Sequence, residues 1–187
     1  MKQLKLVNFF ILIVAFTICG QSCKNRTAPE VKIKIQDNWK SLDEADYSIQ
    51  YPDTFQLDKS GQMGMSFILL SKQTSQQDLF KENINLIIQD LSGQNINLDK
   101  FVEISEGQIM TMITDGVLIE SQKLTKDNKK FQRVIYTGKQ GQYDLKWQQL
   151  YWVENKKAYI LTLTCEANQY ENYLSVGENI MKTFTIK

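Results

Sequence analysis

The sequence predicts an α+β domain built on an antiparallel β-sheet meander with helices on both faces. Four extended runs follow one another along the chain, separated only by the polar turns KDNK, KQG and ENK; they are residues 116–125, 130–138, 143–154 and 157–167. Turns this short join antiparallel neighbours. The run WQQLYWV is apolar on both of its faces, so both sides of the sheet need cover. Two segments with helical periodicity can provide that cover.

The amino terminus, residues 1–22, has the pattern of a secretory signal peptide. Lys2 and Lys5 precede the apolar run 6–18. That run is shorter than the roughly 20 residues that a membrane-spanning helix needs. It matches the apolar region of a cleaved signal.

The four residues GQSC, which end at Cys23, resemble the lipobox of bacterial lipoproteins. Ser22 supplies the small side chain before the acylated cysteine, whereas Cys19 follows the bulky Ile18 and is a poorer acceptor. Loose signals of this kind resemble those of Bacteroidetes lipoproteins. We therefore expect Cys23 to be the lipidation site. Plain secretion and an uncleaved anchor are the alternatives.

This interpretation divides the chain into three parts: a signal peptide at 1–22, a lipidated tether at 23–37 and a single domain at 38–187. Cleavage removes Cys19 and acylation uses the thiol of Cys23, which leaves Cys165 as one free thiol. A single thiol forms no internal disulfide, so stability must come from the core. The expected address is the cell envelope, at the inner or the outer membrane, facing the periplasm or the exterior.

The first half of the domain contains three further strands and one helix. YSIQYP (47–52) alternates polar and apolar residues, and the runs 65–72 and 84–91 are short and apolar, as is typical of strands. Residues 98–113 change to a helical period, and Asn97 is a suitable N-cap. The predicted apolar stripe of this helix comprises Leu98, Phe101, Val102, Ile109, Met112 and Ile113.

The last element is a predicted helix at 168–184. Asn168 and Glu171 have the spacing of a capping box. The apolar stripe runs from Tyr170 to Phe184 and includes Gly177, which costs about 1 kcal/mol of helix propensity relative to Ala. We expect this glycine to allow a close approach of the helix to the sheet.

The order of these elements resembles the PsbP/DcrB-like superfamily. The resemblance lies in Trp39 leading into YSIQYP, in FKENINLIIQDL, in a helix that begins LDKF, in YILTLTCEA and in the close IMKTFTIK. It covers nearly the whole domain and implies an α/β/α sandwich. Bacterial members are often short lipoproteins, and the photosystem members are non-enzymatic extrinsic subunits. The metal sites of some members use histidine, so that role does not carry over to this chain.

Composition excludes several classes of function. The chain has no histidine, which rules out Ser-His and Cys-His nucleophile systems within it and zinc sites with histidine ligands. Its 22 basic and 21 acidic residues leave no basic footprint for nucleic acid. We therefore expect no metal, no cofactor and no nucleic-acid partner.

One aromatic group is a candidate ligand or partner surface: Trp147, Tyr151, Trp152 and Tyr159. Aromatic side chains on adjacent strands line binding grooves, but they also fill cores, and the sequence leaves both roles open.

The function expected from these observations is that of a non-catalytic envelope lipoprotein, an accessory or binding module for an envelope protein or a small ligand. The alternative is a carboxylate-dependent envelope hydrolase, for example one acting on glycans. The carboxylates available for such chemistry are Glu82, Glu103, Glu106 and Asp115, and nothing in the sequence pairs them.

Overall fold

The computed structural model describes residues 39–76 and 78–187, which form ten strands and two α-helices. The signal-peptide, lipidation and tether predictions lie outside the described residues. In chain order the elements are β1 (Lys40–Asp43), β2 (Tyr47–Tyr51), β3 (Phe55–Asp58), β4 (Met65–Ser71), β5 (Asn83–Asp90), α1 (Leu98–Met112), β6 (Thr114–Lys126), β7 (Lys129–Gln140), β8 (Tyr143–Glu154), β9 (Lys157–Glu166), α2 (Tyr170–Thr183) and β10 (Thr185–Ile186).

The strands form one large and one small antiparallel sheet. The large sheet has seven strands in the order β3-β4-β5-β9-β8-β7-β6, and the small sheet has three in the order β1-β2-β10. Strands β6 to β9 are neighbours in space as in sequence, which confirms the predicted meander. The meander starts with β6 at one edge of the large sheet and ends with β9, which is the middle strand.

The two helices cover opposite faces of the large sheet, as predicted. On β8, Trp147 and Tyr151 pack with Phe101 of α1, whereas Leu150 and Trp152 pack with the residues of α2. Because successive side chains of a strand point to opposite faces, this alternation defines an α1 face and an α2 face. The small sheet adds to the layer on the α2 face, where Ile49 is fully buried.

Asn97 caps α1 as predicted, since its side-chain oxygen accepts a hydrogen bond from the backbone N–H of Lys100 at 2.9 Å. The predicted capping box of α2 is wrong. The helix begins at Tyr170 with Gln169 at the N-cap position, in helical backbone and with no side-chain cap. The turn that precedes it is held by backbone bonds instead, such as Gln169 N–H to the carbonyl of Glu166 at 2.9 Å.

Gly177 brings α2 against β9, as expected. A Cβ at this position would lie 2.7 Å from Cδ2 of Leu163, closer than van der Waals contact allows. The helix therefore sits directly on the middle of the large sheet.

The predicted stripe of α1 needs one correction. Met112 is 60 % exposed, whereas Ile109, one turn earlier, is buried. The helix ends at Met112, and the chain turns into β6 through Ile113, so the side chain of Met112 has left the face that packs on the sheet.

Candidate functional site

The four aromatic residues singled out in the sequence are all buried. Their exposed fractions are 7 % for Trp147, 0 % for Tyr151, 7 % for Trp152 and 2 % for Tyr159. The structure does not bring them together, because the first two lie on the α1 face and the last two on the α2 face. They pack as parts of two separate cores.

Each aromatic has partners that account for its position. Trp147 stacks on Tyr136 with ring centroids 4.9 Å apart, and Trp152 stacks on Phe131 at 5.2 Å. The ring of Tyr151 meets Phe101 edge-on at 5.5 Å, and its hydroxyl donates to Oε1 of Gln149. Such pairs stabilise a core beyond the area that they bury.

The four carboxylates considered for hydrolysis do not come together in one site, although Glu103 and Glu106 lie one turn apart on α1. Glu103 is exposed on α1 and pairs with Lys100 at 2.7 Å, and Asp115 on β6 pairs with Lys139 at 2.9 Å. Glu106 also belongs to α1. Glu82 precedes β5 and is 2 % exposed, beside Ser71 on the α2 face. Glu82 is therefore not paired with Glu103 or Glu106.

Glu82 is the one strongly perturbed carboxyl at a buried position among the described residues. Its burial raises the pKa from the ordinary value to about 7, and the charges of Asp78 and Glu166 act in the same direction. The hydroxyl of Ser71 donates to Oε2 of Glu82 at 3.3 Å, and Ser71 N–H donates to the Glu82 carbonyl at 2.8 Å. A carboxyl with a pKa near neutrality is a frequent feature of functional sites.

The neighbours of Glu82 do not form an activated nucleophile. Cys165 is fully buried, and burial, followed by the charge of Glu82, raises the pKa of its thiol. Burial likewise raises the pKa of Tyr173 to about 12. Nucleophilic cysteines need a lowered pKa, so Cys165 stays a neutral thiol that suits packing better than acyl transfer.

No group of three or more acidic or cysteine side chains within residues 39–76 and 78–187 is placed to hold a metal ion. None of the described helices is long and apolar enough to cross a membrane.

A different surface stands out at the junction of α1 and β6. Four large apolar side chains are exposed there: Met110 (56 %), Met112 (60 %), Val117 (55 %) and Ile119 (54 %). They come from the last turn of α1 and the first half of β6. Leu118 packs in the core on the α1 face, so Val117 beside it points to the opposite face, and the exposed apolar side chains lie on both sides of the strand edge. We call these four residues, together with the outer edge of β6, the β6 edge surface.

Two glycines hold this junction close to the sheet. A Cβ on Gly116 would lie 2.8 Å from the carbonyl oxygen of Ile109, and one on Gly138 would lie 2.3 Å from Cγ2 of Ile113. The end of α1 is therefore pressed onto β6 and β7, which fixes the exposed residues on a rigid support.

The β6 edge surface also includes unpaired backbone. β7 pairs with one edge of β6, and no strand in the described part of the chain pairs with the other. A free strand edge beside exposed apolar side chains is a typical protein-binding surface. The sequence offered no signal for it, because alternating apolar residues on an edge strand look the same as those on an inner strand.

Comparison with solved structures confirms the predicted α+β fold, which is similar to that of PsbP. Cyanobacterial PsbP (CyanoP) from Synechocystis superposes with a TM-score of 0.59 at 13 % identity, over 80 % of this chain and 92 % of that one. PA94 from Pseudomonas aeruginosa, described as a protein of unknown function and putative regulator, gives 0.55 at 14 % identity over 78 % and 94 %.

LpqN from Mycobacterium tuberculosis, described as involved in cell envelope biogenesis, gives a TM-score of 0.55 at 9 % identity over 81 % of this chain and 92 % of that one. No protein-family model and no curated protein sequence matches this chain. At these identities the comparisons establish the fold.

Proposed function

We propose that this protein is a lipid-anchored envelope protein whose domain acts by binding another protein and carries out no catalysis. The observation that supports binding is the β6 edge surface, which combines four exposed apolar side chains with an unpaired strand edge. Large apolar side chains beside an open strand edge are a frequent feature of surfaces that bind another protein.

The other candidate residues of the domain also support a role without catalysis. The aromatic residues are used in packing, and the buried carboxyl Glu82 lies beside a protonated thiol rather than an activated one. A carboxylate hydrolase needs two carboxyls facing each other across an open cleft, and Glu82 is enclosed under α2.

The proposed location in the cell envelope rests on the signal-like amino terminus and on the lipobox-like sequence that ends at Cys23. More than one acyl chain on that cysteine gives durable anchoring. Involvement in the cell envelope, stated for LpqN, is compatible with this address.

Binding is tested by placing a photoreactive amino acid at Ile119 in the full chain in its native envelope. Leu79 is a matched control, because it is apolar and 56 % exposed against 54 % for Ile119 but lies outside the β6 edge surface. We expect a discrete protein adduct from position 119 and none from position 79. Equal labelling from both positions, or none from 119, would contradict the proposal.

Anchoring is tested separately with Cys23→Ala. We expect this variant to leave the membrane fraction, with Cys19→Ala as the control that stays. Retention of Cys23→Ala in the membrane would contradict the lipid anchor without affecting the binding proposal.

A further inference from the structure

The second half of β6 is a regular strand with one free edge. The two register shifts of β6 against β7 lie between Thr114 and Glu120, whereas the pairing from Glu120 to Lys126 is continuous. Among the described strands, only β7 pairs with β6. We call residues 120–126 the regular half of β6. It extends about 23 Å, which is the length of an ordinary strand.

The turn that joins β6 to β7 determines which backbone groups of the regular half are free. Asp127 and Asn128 form this turn, and both have positive φ angles, 51° and 61°, as in a type I′ hairpin. The flanking pair, Lys126 and Lys129, is then hydrogen-bonded. Hydrogen-bonded and non-hydrogen-bonded pairs alternate along an antiparallel ladder. The N–H and C=O groups of three residues therefore point away from β7: Ser121, Lys123 and Thr125.

The hairpin formed by β6 and β7 has an excess of positive charge at this end. Residues 120–133 include two acidic residues, Glu120 and Asp127, against the basic residues Lys123, Lys126, Lys129, Lys130 and Arg133. Glu120 pairs with Arg133, and Lys123 pairs with Asp99 of α1. Lys126 and Lys129 donate to backbone carbonyl oxygens, which are uncharged and do not cancel the charge of the lysines.

The lysines lie on both faces of the hairpin. Lys123 reaches Asp99 of α1 and so lies on the α1 face. Lys126, three residues further along the strand, lies on the α2 face, because successive side chains alternate. The register with β7 places Lys130 on the face of Lys123 and Lys129 on the face of Lys126. A strand added beside the regular half would therefore meet lysine ammonium groups on each of its own faces.

These lysines select among the strands that the free edge accepts. Lysine on an edge strand is a common protection against pairing with uncharged apolar strands. An acidic strand is not repelled, because opposite charges facing each other across a strand pair are favourable. The free backbone groups bind any extended segment, and the charges decide which segment pairs. At the other end of the regular half, Glu120 disfavours a further acid, and Ile119 beside it is 54 % exposed and favours an apolar contact.

We propose that the regular half of β6 binds an extended acidic segment of a partner protein, which adds as a new edge strand to the large sheet. The N–H and C=O groups of the segment bond to those of Ser121, Lys123 and Thr125. Its carboxylates lie beside the lysines of the hairpin, and its apolar end lies beside Ile119. This inference rests on the proposed binding function and states the chemistry of the partner segment.

Synthetic peptides test the partner chemistry with the full-length protein in detergent. A labelled acidic peptide of glutamate, valine and threonine is compared with a peptide in which lysine replaces each glutamate, and fluorescence anisotropy measures binding. We expect the acidic peptide to bind and the basic peptide to bind at least about tenfold more weakly. Equal binding of the two peptides, or no binding of the acidic one, would overturn the inference.

Charge reversal locates the site. Lys123→Glu with Lys130→Glu should weaken binding of the acidic peptide by about tenfold or more, because like charges then face each other. The control, Lys40→Glu with Lys59→Glu, makes the same change in net charge at exposed positions on β1 and after β3. It should leave binding unchanged. Equal losses in the two variants, or no loss in the first, would overturn the inference.

Thr125→Pro tests strand addition itself. Proline lacks the N–H that Thr125 directs away from β7, and an edge strand tolerates proline at such a position. The variant should lose binding of the acidic peptide by about tenfold or more. An acidic peptide that is N-methylated at two successive residues removes such bonds from the partner's side and should bind as weakly to the unmodified protein. Full binding of the N-methylated peptide would mean charge attraction without strand addition and would overturn the inference.

Anionic lipid is the other class of partner that a basic surface attracts. Vesicles of phosphatidylglycerol that bind through Lys123 and Lys130, with no binding of the acidic peptide, would overturn the inference in favour of lipid. The proposed binding function fails separately. A discrete protein adduct from position 119, with no binding of the acidic peptide, would overturn the acidic strand while still supporting the binding function.

Discussion

The two edges of the large sheet differ sharply. β3 at one edge has four residues and begins at Phe55, which is 3 % exposed. β6 at the other edge has thirteen residues and includes Val117 and Ile119, each more than half exposed. Both strands belong to the same sheet and have one paired side, so the difference lies in length and side-chain exposure.

If the domain binds another protein, as proposed, this difference favours the β6 edge over the β3 edge. A very short edge strand offers too few backbone groups to recruit another chain, which is a common protection. A long edge with apolar residues attracts another strand unless it is covered. The β3 edge therefore behaves as a closed end of the sheet and the β6 edge as an open one.

The largest expected effect is a loss of stability when the core on the α1 face, next to the open edge, loses a large side chain. Trp147 lies two strands from the β6 edge and stacks on Tyr136 at 4.9 Å. Trp147→Ala should lower the free energy of unfolding by about 3–5 kcal/mol, as for other buried aromatics. Chemical denaturation measures this, with Trp152→Ala on the opposite face as a companion. A loss near zero would mean that Trp147 is not a packing residue and is free to line a ligand surface.

At the closed end, the buried carboxyl makes stability depend on pH. Glu82 has a pKa of about 7 in the folded protein against 4.5 as its ordinary value, so folding favours its protonated form. Well below pH 4.5 the Glu82 carboxyl is protonated in both the folded and the unfolded protein, so it does not change the free energy of unfolding. Between pH 4.5 and 7 the unfolded chain releases its proton first, so stability falls as pH rises.

Glu82→Gln should remove this dependence and stabilise the protein at pH 7.5 by an amount of the order of 3 kcal/mol. Thermal melting at pH 5 and pH 7.5 measures the effect. Glu103→Gln, at an exposed site on α1, is the control and should leave the pH dependence unchanged. An unchanged pH dependence in Glu82→Gln would show that Glu82 is not buried as described.

A methyl group at Gly138 should disturb the open end specifically. Its Cβ would lie 2.3 Å from Cγ2 of Ile113 and 3.0 Å from the carbonyl oxygen of Thr114, at the α1–β6 junction. Gly138→Ala should cost about 1–3 kcal/mol of stability through overpacking. Gly107→Ala is the control, since nothing lies within 4 Å of its Cβ, and it should gain up to about 1 kcal/mol of helix propensity. Equal effects of the two substitutions would contradict the tight junction.

The smallest expected effect concerns the ion pairs along β6. Lys123→Gln removes the pair with Asp99, in which both side chains are about half or more exposed. Stability should change by less than about 1 kcal/mol. A loss of several kcal/mol in stability would mean that β6 depends on these pairs for its own folding.

Much of the fold follows from local pattern in the sequence. Alternation and short polar turns located the meander β6–β9, and the two helical stripes located α1 and α2. The three strands that the pattern missed, β1, β3 and β10, have two to four residues each, too few to show a period. β10 also forms only because α2 returns the chain beside β2, which is a tertiary event.

The candidate sites were less predictable. The exposure of Met112 depends on where α1 ends, and that end is set by the turn at Ile113 rather than by helix periodicity. The burial of Glu82 depends on α2 packing over the start of β5, far along the chain. Which strand becomes the long free edge depends on sheet order, and the sequence alone does not determine that order.

Site-directed photocrosslinking compares the two edges most directly. Ser121→Cys places a thiol near the middle of β6, and Gln56→Cys places one on β3, both at exposed positions. The native Cys165 does not react, because it is buried and burial raises the pKa of its thiol. The unsubstituted chain, treated in the same way, is the control for Cys19 and Cys23. When each new thiol is labelled with a photoreactive maleimide in the full chain in its envelope and then irradiated, we expect a discrete protein adduct from Ser121→Cys and none from Gln56→Cys. An adduct from Gln56→Cys in preference to Ser121→Cys, or from neither, would contradict the assignment of β6 as the open edge.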